Sequence, residues 1–195
     1  MARPREFEID DVLRNAMEAF WKRGYVATSM SDIYEATGLK PGNLYANFKD
    51  KDALFRRAFE TYAKHFRASL PSGLSGRAAI EEWLRVQYRL AVDDPERKGC
   101  LIVNTITERE AHSEATREMA RERLAEIAQF FRTNLTVAAE RGEIDGSNLA
   151  RLEDGLVGAV VAIMSLARAG AADSVIENVT NQAIATLGDK RMTST

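Results

Sequence analysis

The sequence predicts an all-α protein of about nine helices, and three observations lead to that prediction. Ala, Leu, Arg and Glu dominate the composition, and these are good helix formers. No alternating run of β-branched residues is long enough for a strand. Segment after segment repeats apolar residues at three- and four-residue steps. With 195 residues, 45% of them hydrophobic, the chain can build one large helical domain, or a small domain and a larger one.

Composition and charge restrict where the protein works and what it binds. The net charge of −2 means that any nucleic-acid contact must come from a local patch. A single Cys excludes an internal disulfide and fits a reducing compartment. The first residues lack the apolar core of a signal peptide, and the most apolar run, 156–167, is too short to cross a bilayer. We expect a cytoplasmic protein.

The first predicted helix covers residues 9–23 and supports its neighbours. Its apolar residues form a single stripe, and Gly24 ends it. Tyr25 and Val26 are expected to pack under the next helix.

The stretch 28–48 predicts two short helices joined by a tight turn. Ser29 is a good N-cap for the first, and Asp32 completes a weak capping box. Gly38 stands where the helix stop requires a left-handed residue.

The second short helix begins at Pro41, whose missing N–H costs nothing in a first helical turn. Leu44 and Phe48, four residues apart, point to a core. The opposite face carries small or amide-bearing groups and one phenol, which is an unusual surface for a purely structural helix.

Six further helices are predicted, at about 50–70, 77–92, 100–108, 113–141, 147–169 and 173–187. The run 100–108 is strongly apolar, but it is assigned as a short buried helix because no partner strand exists. Pro71 to Gly76 is the clearest break in composition. We place the domain boundary there, which gives an N-terminal domain of residues 1–70 and a larger helical domain of residues 71–195.

A helix, a turn with Gly and a second helix that starts with polar residues is the DNA-binding helix-turn-helix pattern. The run G-L-K-P-G-N-L-Y-A-N-F-K-D-K-D-A-L-F (38–55) resembles the recognition helix and following helix of TetR-type transcriptional regulators. The run A-F-W-K-R-G-Y-V-A-T-S-M-S-D-I (19–33) resembles the preceding helix and turn of that family. The resemblance is close over the first third of the chain and looser beyond it. One departure is Lys40, where the family most often has a Ser or Thr cap.

The polar face of the second short helix contains the strongest binding candidates. Asn43 and Asn47 suit base edges or phosphate oxygens, Ala46 suits a thymine methyl, and Gly42 allows close approach of the backbone. The full set of expected DNA-contact residues is Arg3, Arg5, Thr28, Ser29, Lys40, Pro41, Gly42, Asn43, Tyr45, Ala46, Asn47, Lys49 and Lys51. Arg3 and Arg5 form a basic arm, and Tyr45, Lys49 and Lys51 are better placed for phosphates.

The resemblance implies a homodimer in which the last two helices pair with their copies in a four-helix bundle. Small residues at near-helical spacing, among them Gly155 and Gly158, would let the helices approach closely. Two-fold dimers read half-sites about 34–36 Å apart, or a multiple of that distance.

The resemblance also implies a pocket for a small-molecule inducer, whose binding separates the two DNA-reading heads. An aromatic wall with a few amide and hydroxyl groups suits a small, mostly apolar effector. The expected wall residues are Trp83, Val86, Tyr88, Leu101, Asn104, Thr105, Phe130, Leu135 and Met164.

Cys100 leaves one alternative open. It follows Arg97 and Lys98 at a predicted helix start, and both features stabilise a thiolate. Some relatives with a similar G-C-L-x-V stretch sense oxidants or electrophiles, so the resemblance implies such a role for Cys100. A buried small hydrophobe is the other interpretation.

No catalytic set, metal site or cofactor motif is apparent, and the two His lack ligand spacing. The sequence therefore predicts a DNA-binding, ligand-responsive repressor that binds a palindromic operator as a homodimer and is not an enzyme. Three alternatives remain. They are a helical small-molecule-binding protein or enzyme with a vestigial helix-turn-helix, a redox or electrophile sensor acting through Cys100, and an architectural DNA binder without an effector.

Overall fold

The computed structural model describes residues 6–188, and within that range all regular secondary structure is helical. It contains nine α-helices, two single-turn 3-10 helices at Arg109–Ala111 and Gly146–Asn148, and no strand. The α-helices are α1 (Glu6–Arg23), α2 (Met30–Thr37), α3 (Pro41–Asn47), α4 (Lys51–Ala68), α5 (Arg77–Asp93), α6 (Leu101–Thr107), α7 (Glu114–Glu140), α8 (Leu149–Arg168) and α9 (Asp173–Ala185). The prediction of an all-α fold with nine helices is confirmed for this part of the chain.

The described residues form two compact units. The N-terminal unit holds the described residues up to Ala68 together with Cys100–Arg121, and the C-terminal unit holds Ser69–Gly99 and the described residues from Glu122 onward. The sequence-based division into 1–70 and 71–195 differs from this one. After the first part of the C-terminal unit, Cys100–Arg121 return to the N-terminal unit, where α6 packs against α4. A linear reading of composition breaks cannot detect such a contact.

The N-terminal unit is built on α1, which packs against α2 and α4. Its core contains large, fully buried side chains, including Phe20 of α1, Ile33 of α2, Leu44 of α3 and Leu54 of α4. One apolar residue from each short helix therefore reaches the core, which positions α2 and α3 without long stretches of packing.

An aromatic cluster ties the turn after α1 to α4. The ring of Phe55 lies 5.1 Å from Phe20, 5.1 Å from Tyr25 and 5.9 Å from Phe59, measured between centroids. Tyr25 thus packs as expected, but Val26 does not, because 69% of it is exposed to solvent.

The C-terminal unit has α5 at its centre, packed against α8 and α9. Trp83 of α5 is fully buried, with its ring 4.8 Å from Phe130 and 5.2 Å from Phe131. Asn134 of α7 accepts a hydrogen bond from the backbone N–H of Gly76 at 3.0 Å and donates one to the carbonyl of Phe130 at 2.9 Å. These bonds fix the start of α5 against α7.

Helix α8 buries one stripe of its surface, formed by Leu156, Val160, Ile163, Met164 and Ala167. Gly155 and Gly158 lie outside this stripe and are exposed in the single chain.

Candidate nucleic-acid interface

Helix α2 begins and ends as its sequence predicts. The Ser29 hydroxyl accepts a hydrogen bond from the backbone N–H of Asp32, and the Asp32 carboxylate accepts one from the N–H of Ser29, which completes the capping box. The hydrogen bonds from Ser29 hold the pKa of Asp32 below its usual value. Gly38 adopts φ 68°, the left-handed conformation that ends the helix, and its N–H bonds to the carbonyl of Tyr34 at 2.9 Å.

Helix α3 begins without a side-chain cap. Lys40 takes the N-cap position in an extended conformation and makes no capping hydrogen bond, and Pro41 takes the first helical position. The proline removes one of the N–H groups that a cap would otherwise satisfy. The missing cap follows from Lys40, because a lysine side chain has no acceptor for a backbone N–H.

Only Leu44 of α3 is buried, and Phe48 closes the helix as a second buried residue. The other members of α3 are exposed, and they are Pro41, Gly42, Asn43, Tyr45, Ala46 and Asn47. The large side chain of Tyr45 contributes most to this face, because 53% of the residue is exposed. A short helix held from one side by two apolar residues presents all its polar groups outward, as a helix must that enters a DNA groove.

Two of these polar side chains are already oriented by neighbours. The Tyr45 hydroxyl shares a hydrogen bond with the Tyr34 hydroxyl of α2, which raises the pKa of Tyr34. The Asn47 amide nitrogen donates to the carbonyl of Asn43 at 2.7 Å. The amide nitrogen carries a second N–H, so Asn47 can keep this bond and still donate to a base, and both Asn43 and Asn47 remain candidates for reading base edges.

Lys51 is half-buried and lies beside the turn after α1. Its ammonium donates to the carbonyl of Tyr25 at 2.6 Å and sits 4.3 Å from the centre of the Tyr25 ring. Burial lowers the pKa of Lys51. An ammonium group has three donors, so Lys51 can keep the Tyr25 bond and still offer a donor to a phosphate.

Thr28 requires a correction. Its side chain is fully buried, and its hydroxyl donates to the carbonyl of Gly24 at 2.7 Å. The hydroxyl therefore holds the turn between α1 and α2 together and is not available to a phosphate, contrary to the expectation for this side chain. Lys40 and Lys49 are exposed, and Arg3 and Arg5 lie outside the described residues.

Gly42 has no packing reason to be glycine. A Cβ atom built on it would meet no other atom within 4 Å. A glycine in a helix costs up to about 1 kcal/mol relative to alanine, so its presence on the exposed face fits close approach of another molecule.

Gly42→Ala should therefore separate stability from binding. We expect the free energy of unfolding to rise by up to about 1 kcal/mol, while affinity for duplex DNA falls by roughly tenfold because the methyl group keeps the helix from its partner. Urea denaturation and a DNA titration on the same preparation would measure both. Unchanged DNA affinity would show that the close approach does not occur.

Comparisons with known proteins match both parts of the chain. The family model "Bacterial regulatory proteins, tetR family" matches residues 12–58, and the model "Tetracyclin repressor-like, C-terminal domain" matches residues 76–183. The chain belongs to the TetR family. The predicted helix-turn-helix regulator is confirmed, and the alternative of a vestigial helix-turn-helix is not favoured.

Three similar proteins illustrate the TetR-family relationship. The HTH-type transcriptional repressor ComR of Escherichia coli is 34% identical over 110 residues, which cover 54% of this chain and about half, 52%, of ComR. The HTH-type transcriptional regulator YezE of Bacillus subtilis is 28% identical over 152 residues, 76% of this chain and 78% of YezE. A cysteine mutant of the regulator CifR, solved with 26-bp double-strand operator DNA, is 28% identical with a TM-score of 0.79, covering 93% of this chain and 98% of CifR.

The residues expected to line an effector pocket are distributed between the two units of this TetR-family chain. Leu101, Asn104 and Thr105 are buried in the N-terminal unit. In the C-terminal unit Trp83, Leu135 and Met164 are buried, and Val86, Tyr88 and Phe130 are half-buried. Two open clefts are described, and neither is lined by any of the nine residues. One, of about 590 Å³, lies along α1 and α4, and the other, of about 370 Å³, lies at the start of α8. The pocket stays a prediction.

Sequence reasoning missed one buried polar residue on α5. Gln87 lies one turn after Trp83 on the buried stripe of that helix and is only 3% exposed. A polar residue at a position where the apolar stripe continues is a signal that could have identified it.

Cys100 is buried, and burial raises the pKa of its thiol. The expectation that Arg97 and Lys98 stabilise a thiolate is wrong, because desolvation dominates. The thiol instead shares a hydrogen bond with the Tyr62 phenol of α4. This geometry is that of a small buried side chain.

Cys100 should accordingly resist modification in the folded protein. We expect iodoacetamide to label it far more slowly than the same thiol after unfolding in urea, since the thiolate is the nucleophile and burial disfavours it. Mass spectrometry of timed samples would measure both rates. Equal rates would mean that the thiol is accessible and would reopen the sensor alternative.

His112 is another buried group of the N-terminal unit, and its ring packs against two aromatic rings. The centroids of Tyr25 and Phe55 lie 4.5 Å and 4.9 Å away, and neither ring nitrogen has a hydrogen-bond partner among the described residues. Burial lowers the pKa of His112 below its ordinary value of 6.5. The charged groups that act on the ring are Glu108, Asp52, Lys51 and Arg117.

Because the pKa of His112 is lowered, the protein should be less stable at acidic pH. The unfolded chain binds a proton at His112 more readily than the folded chain, so the free energy of unfolding decreases as the pH falls below 6.5 toward the folded pKa. Urea midpoints at pH 7.5 and pH 5.5 should differ less for His112→Phe than for the parent protein. His65→Gln is the control, because His65 is exposed. An equal pH dependence in the parent and His112→Phe would exclude this contribution.

No group of three or more His, Cys, Asp or Glu within residues 6–188 is arranged to hold a metal ion. No helix in the described part of the chain has the length and apolar character needed to cross a membrane.

Proposed function

We propose that this TetR-family regulator is a repressor that binds a palindromic duplex operator as a homodimer and is released by a small-molecule inducer. The observation that carries the proposal is the open polar face of α3, held by Leu44 while Asn43 and Tyr45 point outward. The CifR complex with operator DNA and the repressor ComR support it by similarity.

The DNA contacts are proposed for residues 1–70. Asn43 and Asn47 bind base edges, Ala46 contacts a thymine methyl, and Tyr45, Lys49 and Lys51 bind phosphates. Ser29 at the start of α2 and the arm with Arg3 and Arg5 add contacts beside them. Effector binding and dimerisation belong to residues 71–195, and the protein acts in the cytoplasm without catalytic activity.

Two exposed glycines of α8 support the homodimer. A Cβ atom built on Gly155 or on Gly158 would meet nothing within 4 Å in the single chain. Both positions therefore leave room for a helix backbone to approach, as in the four-helix bundle that the family resemblance implies. Two reading helices then lie one duplex turn apart, about 34–36 Å, or a multiple of that distance.

Selection of bound fragments from random duplex DNA tests this proposal directly. We expect a recovered site with two-fold symmetry and an affinity that decreases steeply with salt, by a log–log slope of about −0.9 for each phosphate neutralised. Binding without sequence preference would favour an architectural role. No binding at low salt would favour a helical small-molecule-binding protein instead.

A further inference from the structure

The C-terminal unit contains a buried amide whose nitrogen is not bonded. Gln87 is 3% exposed, and its Nε2 atom is buried with no hydrogen-bond partner among residues 6–188. Buried polar groups in proteins are hydrogen-bonded in the large majority of cases. An unsatisfied donor is costly to keep in an apolar interior, so a hydrophobic residue would serve packing better.

Two other buried polar side chains of this unit, Asn134 and Thr180, are hydrogen-bonded. Asn134 bonds to Gly76 and Phe130 through both ends of its amide, and the Thr180 hydroxyl donates to the carbonyl of Ile176 at 2.9 Å. General looseness of the packing therefore does not explain the unbonded amide nitrogen of Gln87.

The surroundings of Gln87 are apolar and aromatic. Trp83 lies one helical turn away on the same buried stripe and belongs to the aromatic group with Phe130 and Phe131. The buried residues of α8 and α9, the two helices that pack on α5, are apolar except for Thr180. A donor in such surroundings selects a ligand with an apolar body and one acceptor.

Charge narrows the ligand class further. The buried polar side chains described for this unit are Gln87, Asn134 and Thr180, and none of them is ionisable. A charged ligand would lose its hydration there without gaining a counter-ion.

We propose that the inducer of this regulator is an uncharged, mainly apolar molecule whose carbonyl oxygen accepts a hydrogen bond from Nε2 of Gln87 beside Trp83. This inference rests on the proposed function only in that it calls the ligand an inducer. The binding of the ligand itself requires no DNA.

The test compares Gln87→Met with Asn134→Leu in the full-length protein. Met has the same unbranched length and no donor. We expect the thermal midpoint of the ligand-free Gln87→Met protein to rise by about 2–4 °C, because the unsatisfied donor is gone. Asn134→Leu should lower it, because two satisfied bonds are lost. A lower midpoint for Gln87→Met would show that Gln87 is satisfied in the free protein and would overturn the proposal.

Ligand binding is measured with three matched probes, without DNA. Benzophenone carries the carbonyl, diphenylmethane lacks it, and 4-benzoylbenzoate adds a charge. By quenching of Trp fluorescence, the parent protein should bind benzophenone about tenfold more tightly than either other probe. Gln87→Met should bind benzophenone and diphenylmethane equally.

No binding of benzophenone or of the aliphatic ketone 2-undecanone, or equal binding of benzophenone by both proteins, would overturn the proposal. The experiments distinguish failure of the proposed regulator function from failure of the ligand assignment at Gln87. A protein that binds the ketone but no operator contradicts the regulator function alone, whereas one that binds an operator but neither ketone contradicts only this assignment.

Discussion

Phe55→Ala should lower the free energy of unfolding by about 3–5 kcal/mol, the usual cost of deleting a large buried aromatic side chain. Phe55 is 1% exposed, and its ring contacts Phe20, Tyr25, Phe59 and His112. Alanine would leave a cavity where α4 meets the turn that leads into α2. Urea denaturation followed by circular dichroism measures the loss. The dependence of the free energy of unfolding on urea concentration should stay unchanged.

Val26→Ala is the control for this experiment. Val26 lies in the same turn as Tyr25, but 69% of it is exposed, so its truncation should change stability by no more than about 0.5 kcal/mol. If both variants lost the same free energy, the aromatic cluster would not be the core of the N-terminal unit. Phe55→Ala should also weaken DNA binding, because the turn that it supports positions α2.

The double variant Asn43→Ala, Tyr45→Ala should weaken operator binding by at least roughly 100-fold. One lost base contact accounts for about 1–3 kcal/mol, and a lost phosphate contact adds to it. Both side chains are exposed, so the free energy of unfolding should change by no more than about 0.5 kcal/mol. Fluorescence anisotropy with a labelled operator duplex measures the affinity.

Two matched variants control this result. Asn15→Ala removes an exposed amide from α1 and should leave affinity unchanged. Tyr45→Phe keeps the ring but loses the hydroxyl bond to Tyr34, so it separates the phosphate contact from packing. Retained operator affinity in the double variant would mean that α3 does not read DNA.

Local signals in the sequence were sufficient to predict the helices and the exposed polar face of α3. The capping box at Ser29, the stop at Gly38 and the start at Pro41 depend on residues a few positions apart, and the structure contains all three. The exposure of the α3 face follows from the spacing of Leu44 and Phe48 alone.

What the sequence could not indicate depends on distant contacts. Thr28 looked like a phosphate ligand, but its hydroxyl bonds to Gly24 inside the turn. For Cys100 the sequence left an activated thiolate and a buried small side chain open, and its burial beside Tyr62, which raises its pKa, agrees with the second. Lys51 donates to the carbonyl of Tyr25, which lies 26 residues earlier in the chain. The backbone N–H of Tyr25 in turn donates to the carboxylate of Glu108, which lies 83 residues later. No local pattern encodes these partners.

Photo-crosslinking tests most directly whether the outward side of α3 lies in a duplex groove. A photoreactive side chain is placed at position 43 in one protein and at position 15 of α1 in another, and each is irradiated with the selected operator. We expect crosslinks from position 43 to bases at symmetric places in both half-sites, and none from position 15. Crosslinks from position 15 alone, or none to bases from position 43, would contradict it.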